Sequence, residues 1–365
     1  MVGIDDGFSM SRPTGIGRHS AALMDALALH APEVSVRHIR HASLEPVRPP
    51  ALRRAVYLAW LASGIPSARW GEMFDLIHFT NYHVAPRKPG RLRYAVTIHD
   101  LVPFRVPETK SRSYTAYLRK SITQALRLAD VVFAVSCAVR EEIIAECGAR
   151  PDAVRVVYVP PMLTPMPSAE ARARLLLAYP ALGTAPFVLF VGTLERRKNL
   201  LALLDALSRL PRAHADLRVV LAGRPGLGYA AIADAVTRAN AHAQRVHVLS
   251  QCSDEDLRAL YAASAAFVFP SLYEGYGIPL LEAMRCGAPI VASDIPTSRE
   301  LARDAAVLVS PTADGIGEGL AAVLESTDLR GTLVERGRAR AQDFTLAQTS
   351  CQLLDGYRGV LASEG

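Results

Sequence analysis

The chain has 365 residues, half of them hydrophobic and 21% charged. That length and balance exclude a disordered chain and favour two folded domains over one core. The formal net charge of +6 is uneven: residues 1–165 carry 21 Lys and Arg against 14 Asp and Glu, the remainder 20 against 21, so an anionic partner (nucleic acid, anionic membrane or phosphorylated substrate) is expected at the first half.

In chain order, the first half alternates short apolar runs with helical patterns, the signature of a parallel α/β sheet. Strands are expected at Val2–Asp5, Val34–Ile39, Asp75–Phe79, Tyr94–Ile98, Asp130–Val135 and Val154–Val157, with helices near Ile16–Leu29, Thr109–Leu128 and Cys137–Glu146. Four prolines fall within Pro160–Pro167 and read as a stiff linker. The second half restarts the pattern with strands at Phe187–Val191, Arg218–Ala222, Val246–Leu249, Ala266–Phe269 and Pro289–Ala292. Helices fit between them at Asn199–Leu210, Glu255–Ala263 and Pro279–Arg285, and Thr345–Leu361 is long enough to cross back to the first domain. This gives domains over 1–165 and 166–344, with 345–365 as the returning helix.

No apolar run reaches the ~18 residues of a membrane span, and Met1–Phe8 holds two aspartates and no basic stretch of the kind a secretory leader carries. The five cysteines (Cys137, Cys147, Cys252, Cys286, Cys351) are scattered, without paired metal spacing or a disulfide framework. A reducing cytoplasm is the expected compartment.

Five constellations carry the chemistry. Gly15 and Gly17, within Arg12–Arg18 after the first strand, allow backbone to approach a phosphate or sugar, although loops with glycines are common at the first turn of any α/β fold. His99-Asp100 ends another strand. His99 is placed to donate to a sugar hydroxyl, with Asp100 as base or orienter; the alternative is a histidine satisfied by a backbone carbonyl and an aspartate capping a turn. His78 and His83 nearby make no metal spacing. Basic and aromatic residues interleave over Arg105–Arg127, and the amphipathic stretch Leu52–Leu61 carries a tryptophan. Both suit an anionic bilayer or a plain solvated helix face.

In the second half, Val191-Gly192-Thr193-Leu194-Glu195-Arg196-Arg197-Lys198-Asn199 puts three cations at the carboxyl end of a parallel strand, where open α/β sheets bind ligands. Asn199 is placed to cap the next helix. Arg197 and Lys198 there suit the charge of a departing diphosphate. Glu274 to Glu282 then sets two carboxylates around Gly275, Gly277 and Pro279, at a loop-to-helix turn. Pro279 suits a first helical turn. The N–H groups of Gly277 and Ile278 at the helix start favour an anion, while flanking acids accept from hydroxyls. A nucleoside diphosphate sugar offers both.

These motifs together resemble the family 4 glycosyltransferases of the GT-B fold, an α/β architecture of two Rossmann-like domains facing a central cleft. The carriers are Thr14–Arg18, Thr97–Pro103, Val191–Asn199, Ser253–Leu257 and the spaced glutamate pair in Pro270–Glu282. The resemblance implies that Glu274 contacts donor-sugar hydroxyls and Glu282 the ribose. It implies that Arg197 and Lys198, with the N–H groups of Gly277 and Ile278, bind the diphosphate. Gly15 and Gly17 would approach the donor, His99 would touch the sugar near the reacting carbon, and backbone near Cys252 would bind the base. Gly192 is the strand glycine. Thr193 stands where an arginine is common, which leaves the phosphate to Arg197 and Lys198. A glycine is common where Ser250 or Gln251 stands, which leaves base selectivity open, and Phe344 is the aromatic nearest the usual tryptophan of the crossover.

The implied reaction is retaining, metal-independent transfer of a hexose from a nucleotide diphosphate sugar (GDP-mannose before UDP- or dTDP-sugars) to a lipid-linked or polysaccharide acceptor in bacterial surface glycan synthesis, with no other cofactor. The enzyme would be cytoplasmic, with peripheral contact to the anionic inner membrane surface and no nucleic-acid partner. A nucleotide-sugar epimerase or a phosphorylase of the same fold is the alternative, and a basic nucleic-acid binder a remote one.

Overall fold

The computed structural model describes residues 1–7, 15–39, 50–211, 214–241 and 243–362. Phe8 and Arg12, Pro13 and Thr14 of the first glycine motif lie outside the described residues. The chain divides into two compact units, Met1–Pro160 with Phe344–Gly365, and Pro161–Asp343. The division therefore falls at Pro160, and the returning segment begins at Phe344.

The first unit holds six parallel strands, β1 (Val2–Asp5), β2 (Val36–His38), β3 (Leu76–Phe79), β4 (Arg93–Ile98), β5 (Val131–Ala134) and β6 (Val154–Val156), in the order β2-β1-β3-β4-β5-β6. All residues of β1, β3 and β5 are buried, which is why they read as unbroken apolar runs rather than alternating ones. The helix Leu346–Leu361 packs on the helix Gly15–His30 and on β4, β5 and β6. Gly356 makes this seat: a Cβ there would lie 2.5 Å from the Phe133 ring. Thr349 Oγ1 donates to the Tyr158 carbonyl at 2.7 Å, and Phe344 stacks edge-on against Tyr158 at 5.7 Å.

The second unit is also six parallel strands, β7 (Phe187–Val191), β8 (Arg218–Ala222), β9 (Val246–Leu249), β10 (Ala266–Phe269), β11 (Ile290–Ser293) and β12 (Val307–Val309), in the order β12-β11-β10-β7-β8-β9. The order reverses between β7 and β10. In such sheets the crevice at the carboxyl ends of those two strands is the ligand position. Pro160–Pro167 has no regular structure, and Arg258 fastens it to this unit by donating to the carbonyls of Thr164 (2.8 Å) and Pro165 (3.1 Å).

Two expectations are corrected. The helix expected over Thr109–Leu128 begins at Arg112 instead, behind a 3-10 turn Pro107–Thr109, and runs as one helix to Leu128. Ser111 is extended, and its hydroxyl accepts from the Tyr114 N–H, so a new helix starts there. Asn199 does not cap its helix through its side chain. It sits in the left-handed region (φ 57°), and its Nδ2 donates instead to the Pro311 carbonyl at 2.8 Å.

Candidate active site

The site in the second unit is built from the loops after β7 and β10. Gly192 (φ 149°) ends β7. The chain beyond it is stapled to the loop after β8 by Leu194 N–H to Arg224 carbonyl (2.8 Å), Gly226 N–H to Leu194 carbonyl (3.0 Å) and Arg196 N–H to Leu227 carbonyl (3.1 Å). It closes in a 3-10 turn, Arg196–Lys198. The Leu272 N–H donates to the Arg197 carbonyl at 2.9 Å, which brings the loop after β10 against this turn. Thr193 is exposed at the loop's start.

These staples converge on Glu274. Its Oε2 accepts from Arg197 Nη1 at 2.7 Å, and its Oε1 accepts from Lys198 Nζ and, at 2.7 Å, from Ser271 Oγ. Thr297 Oγ1 donates to the Glu274 carbonyl at 2.6 Å and fixes the backbone. Arg197 Nη1 also reaches the Tyr273 carbonyl at 3.1 Å, and its Nε pairs with Glu195 at 2.7 Å. Burial pushes the Glu274 carboxyl up, but Arg197, then Lys198 and Ser271, hold it down at about 2. Burial pushes the Lys198 ammonium below its usual range, with Arg197 adding and Glu274 opposing. The carboxylate has roughly four lone-pair positions, three of them taken by the bonds named here, which leaves room for a donor such as a sugar hydroxyl.

Gly277 (φ 152°) precedes the helix Ile278–Cys286, where only glycine tolerates such a backbone. Its carbonyl accepts from the Leu280 and Leu281 N–H groups, and Pro279 occupies the first turn. The Gly277 and Ile278 N–H groups make no hydrogen bond to a described residue. The positive end of this helix is therefore open to an anion, and it follows by four residues the carboxylate that holds Arg197 and Lys198. Glu282, on the same helix, is buried and accepts from Tyr261 Oη at 3.2 Å. Cys252 lies after β9, half-buried, with the Tyr179 hydroxyl donating to its Sγ at 3.8 Å; burial raises its thiol pKa. The adjoining helix Asp254–Ala263 opens with the Ser253/Asp256 capping box.

In the first unit, Gly15 opens the helix Gly15–His30 with nothing within 4 Å of where a Cβ would stand, and Gly17, two residues on, is buried. His99 follows β4. Its Nε2 lies 2.7 Å from the Thr80 carbonyl, which can only accept, so Nε2 carries the proton. Burial lowers the ring's pKa against the opposing pull of that carbonyl and of Asp100. A neutral ring with Nε2–H leaves Nδ1 as an acceptor rather than a donor. Asp100 Oδ1 accepts from the Val102 N–H at 3.2 Å, as a turn cap. His78 is bound between Tyr357 Oη (2.7 Å) and Thr97 Oγ1 (2.8 Å) as a core residue.

The sequence reading passed over three contributors. Glu195 stood inside a quoted motif, Ser271 inside another. His19, two residues after Gly17, is buried edge-on against His99 at 4.8 Å.

The glycosyl transferases group 1 profile matches residues 178–340, and the glycosyltransferase family 4 profile matches 13–160. The O-antigen chain mannosyltransferase B of Escherichia coli is 31% identical over 78% of this chain and 74% of its own. The chain belongs to the family 4, group 1 glycosyltransferases. A phosphatidyl-myo-inositol mannosyltransferase of Mycobacterium leprae is 29% identical over 52% of this chain and 50% of its own. The sucrose-phosphate synthase of Thermosynechococcus elongatus shares the fold, with TM-score 0.81 at 22% identity over 100% of this chain and 99% of the other. This glycosyltransferase therefore has the GT-B architecture and is a hexosyltransferase.

Proposed function

We propose that the enzyme transfers mannose, with retention and without a divalent cation, from GDP-mannose to a hydroxyl of a lipid-linked glycan in bacterial surface polysaccharide synthesis. The observation that carries this reading is the pairing of Arg197 and Lys198 on Glu274 beside the open start of the helix Ile278–Cys286, at the point where the strand order reverses. Mannose is supported by the O-antigen mannosyltransferase relative, which spans most of the chain.

The diphosphate takes the Gly277 and Ile278 N–H groups and shares the two cations with Glu274. Glu282 receives ribose hydroxyls, backbone at Cys252 holds the base, and the remaining acceptor position of Glu274 takes a hydroxyl of the sugar. The acceptor oxygen bonds to the anomeric carbon from the face that the diphosphate leaves. The bond from that carbon to the phosphate oxygen breaks, and a phosphate oxygen receives the hydroxyl proton. Arg197, Lys198 and the helix start stabilise the charge on the leaving group, a donor of this kind contributing ~3 kcal/mol; these fixed cations support catalysis without added metal.

The helix Arg112–Leu128 exposes Arg112, Tyr114, Tyr117, Arg119 and Lys120, with the two tyrosine rings stacked at 6.1 Å. This basic aromatic face supports peripheral contact with an anionic membrane on the cytoplasmic side.

The test is GDP release from GDP-mannose with a polyprenyl-diphosphate-linked glycan acceptor, with and without EDTA, and NMR of the product. Acceptor-dependent release that survives EDTA and yields an α-mannoside is expected. Release only with another nucleotide, loss on chelation, or a β-mannoside contradicts the corresponding part of the reading.

A further inference from the structure

We propose that Glu195 is a positioning residue for Arg197; the inference rests on the transfer reading above, in which Arg197 meets the leaving diphosphate. Glu195 is extended (φ −133°, ψ 161°) immediately before the 3-10 turn Arg196–Lys198. Its carboxylate pairs with Arg197 Nε at 2.7 Å, while Nη1 of the same guanidinium donates to Glu274 Oε2 (2.7 Å) and the Tyr273 carbonyl (3.1 Å). A guanidinium is a planar fork. Held at Nε and at Nη1 by different loops, it cannot rotate about either contact alone. Both side chains are mostly shielded, Glu195 at 12% and Arg197 at 17% exposure, so the contact is little screened.

The scaffold behind Glu195 is equally tight. The loop after β8 reaches it through Gly226, where a Cβ would lie 3.0 Å from Glu195 Cβ and 2.6 Å from Thr193 Cγ2. The backbone staples at Leu194 and Arg196 hold the two loops in that register. Glu195 is thus fixed by its own backbone, and Arg197 is fixed by Glu195.

The charges make the role separable from binding. Glu195 and Glu274 together balance Arg197 and Lys198. A residue kept for diphosphate affinity alone would not be a second carboxylate on those cations, because it weakens the attraction for an anion. Its benefit lies in geometry, which acts on the transition state. Removing it affects binding and turnover unequally.

The experiment is steady-state transfer and GDP titration for Glu195→Gln, Glu195→Asp, Arg197→Lys and the Glu195→Gln/Arg197→Lys double variant of the full chain. Glu195→Gln keeps size and an acceptor oxygen and loses the charge-assisted hold. We expect kcat of the folded variant to fall about tenfold, with GDP affinity unchanged or tighter, and Glu195→Asp to recover part of kcat. In the Arg197→Lys background, which has no Nε fork, Glu195→Gln should cost no further kcat, because the residue acts through Arg197. Wild-type kcat in Glu195→Gln, or an undiminished further loss in the double variant, overturns the inference and leaves the transfer reading standing. A wild-type protein that binds no GDP and turns over no donor overturns both.

Discussion

At the residue scale, Glu274 is the hinge of the account because a buried carboxylate holds two cations in place. Its carboxyl lies near 2 in the folded chain, against an ordinary 4.5. A depressed carboxyl adds stability above its unfolded pKa, and that contribution is lost as pH falls from about 4.5 toward about 2. Glu274→Gln should lower stability at neutral pH by about 3–5 kcal/mol, since it leaves Arg197 and Lys198 buried without their counter-charge. Urea titrations of wild type and variant should converge as pH drops through that window. A variant equal to wild type at pH 7 contradicts the pairing. Histidines add an acid-sensitive contribution at higher pH. Burial lowers His78 to about 3 and His19 well below its ordinary value. The unfolded chain takes up those protons first, so stability falls as pH drops from about 6.5 toward 3. A stability curve flat between pH 7 and pH 4 would remove this cluster from the account.

At the element scale, the strands were legible because a parallel sheet buried on both faces writes itself as short unbroken apolar runs; β7, β8, β9 and β10 have the bounds that those runs predict. Helices with explicit start signals were legible too, such as Asp254–Ala263 behind Ser253. The helices Ser168–Ala178 and Tyr229–Ala239 were not. The first follows prolines, lacks a side-chain cap and buries only Ala171 and Leu175; the second starts at a left-handed Gly228, lacks a cap and buries only Ile232. The first leaves no strong apolar stripe, the second packs Tyr229, Ala235 and Val236 on the core without a start signal, and tertiary support decides both. Two elements give checks on packing. Ser253→Ala should cost about 1 kcal/mol through the lost capping box. Gly356→Ala, whose methyl meets the Phe133 ring at 2.5 Å, should cost about 1–3 kcal/mol by overpacking. Urea unfolding measures both, and a neutral Gly356→Ala would show that the returning helix is seated less tightly than described.

At the scale of the whole molecule, the restart of the strand pattern after the proline segment disclosed two sheets, but the partners within the site were beyond local reading. Glu274 and Lys198 are 76 residues apart, and nothing in either motif says that the acid binds the cations rather than waiting for hydroxyls. That pairing comes from the strand order, which sets the loops after β7 and β10 side by side. The tautomer of His99 was likewise hidden, because it is fixed by a carbonyl on β3's outgoing loop. The basic aromatic face of Arg112–Leu128 gives a test at this scale: phosphatidylglycerol vesicles should float the protein at low salt, less so after Tyr114→Ala/Lys120→Ala, and neutral vesicles should not. Equal flotation of the variant would move membrane contact elsewhere.

The most direct measurement of the central claim is calorimetric titration of GDP-mannose into wild type and into Arg197→Gln/Lys198→Met, both checked for folding by their thermal transitions. Each charged contact contributes about 1.5–3 kcal/mol, so binding by the folded variant should weaken at least a hundredfold relative to wild type. Equal affinity in the folded variant would place the diphosphate away from the two cations and contradict the account.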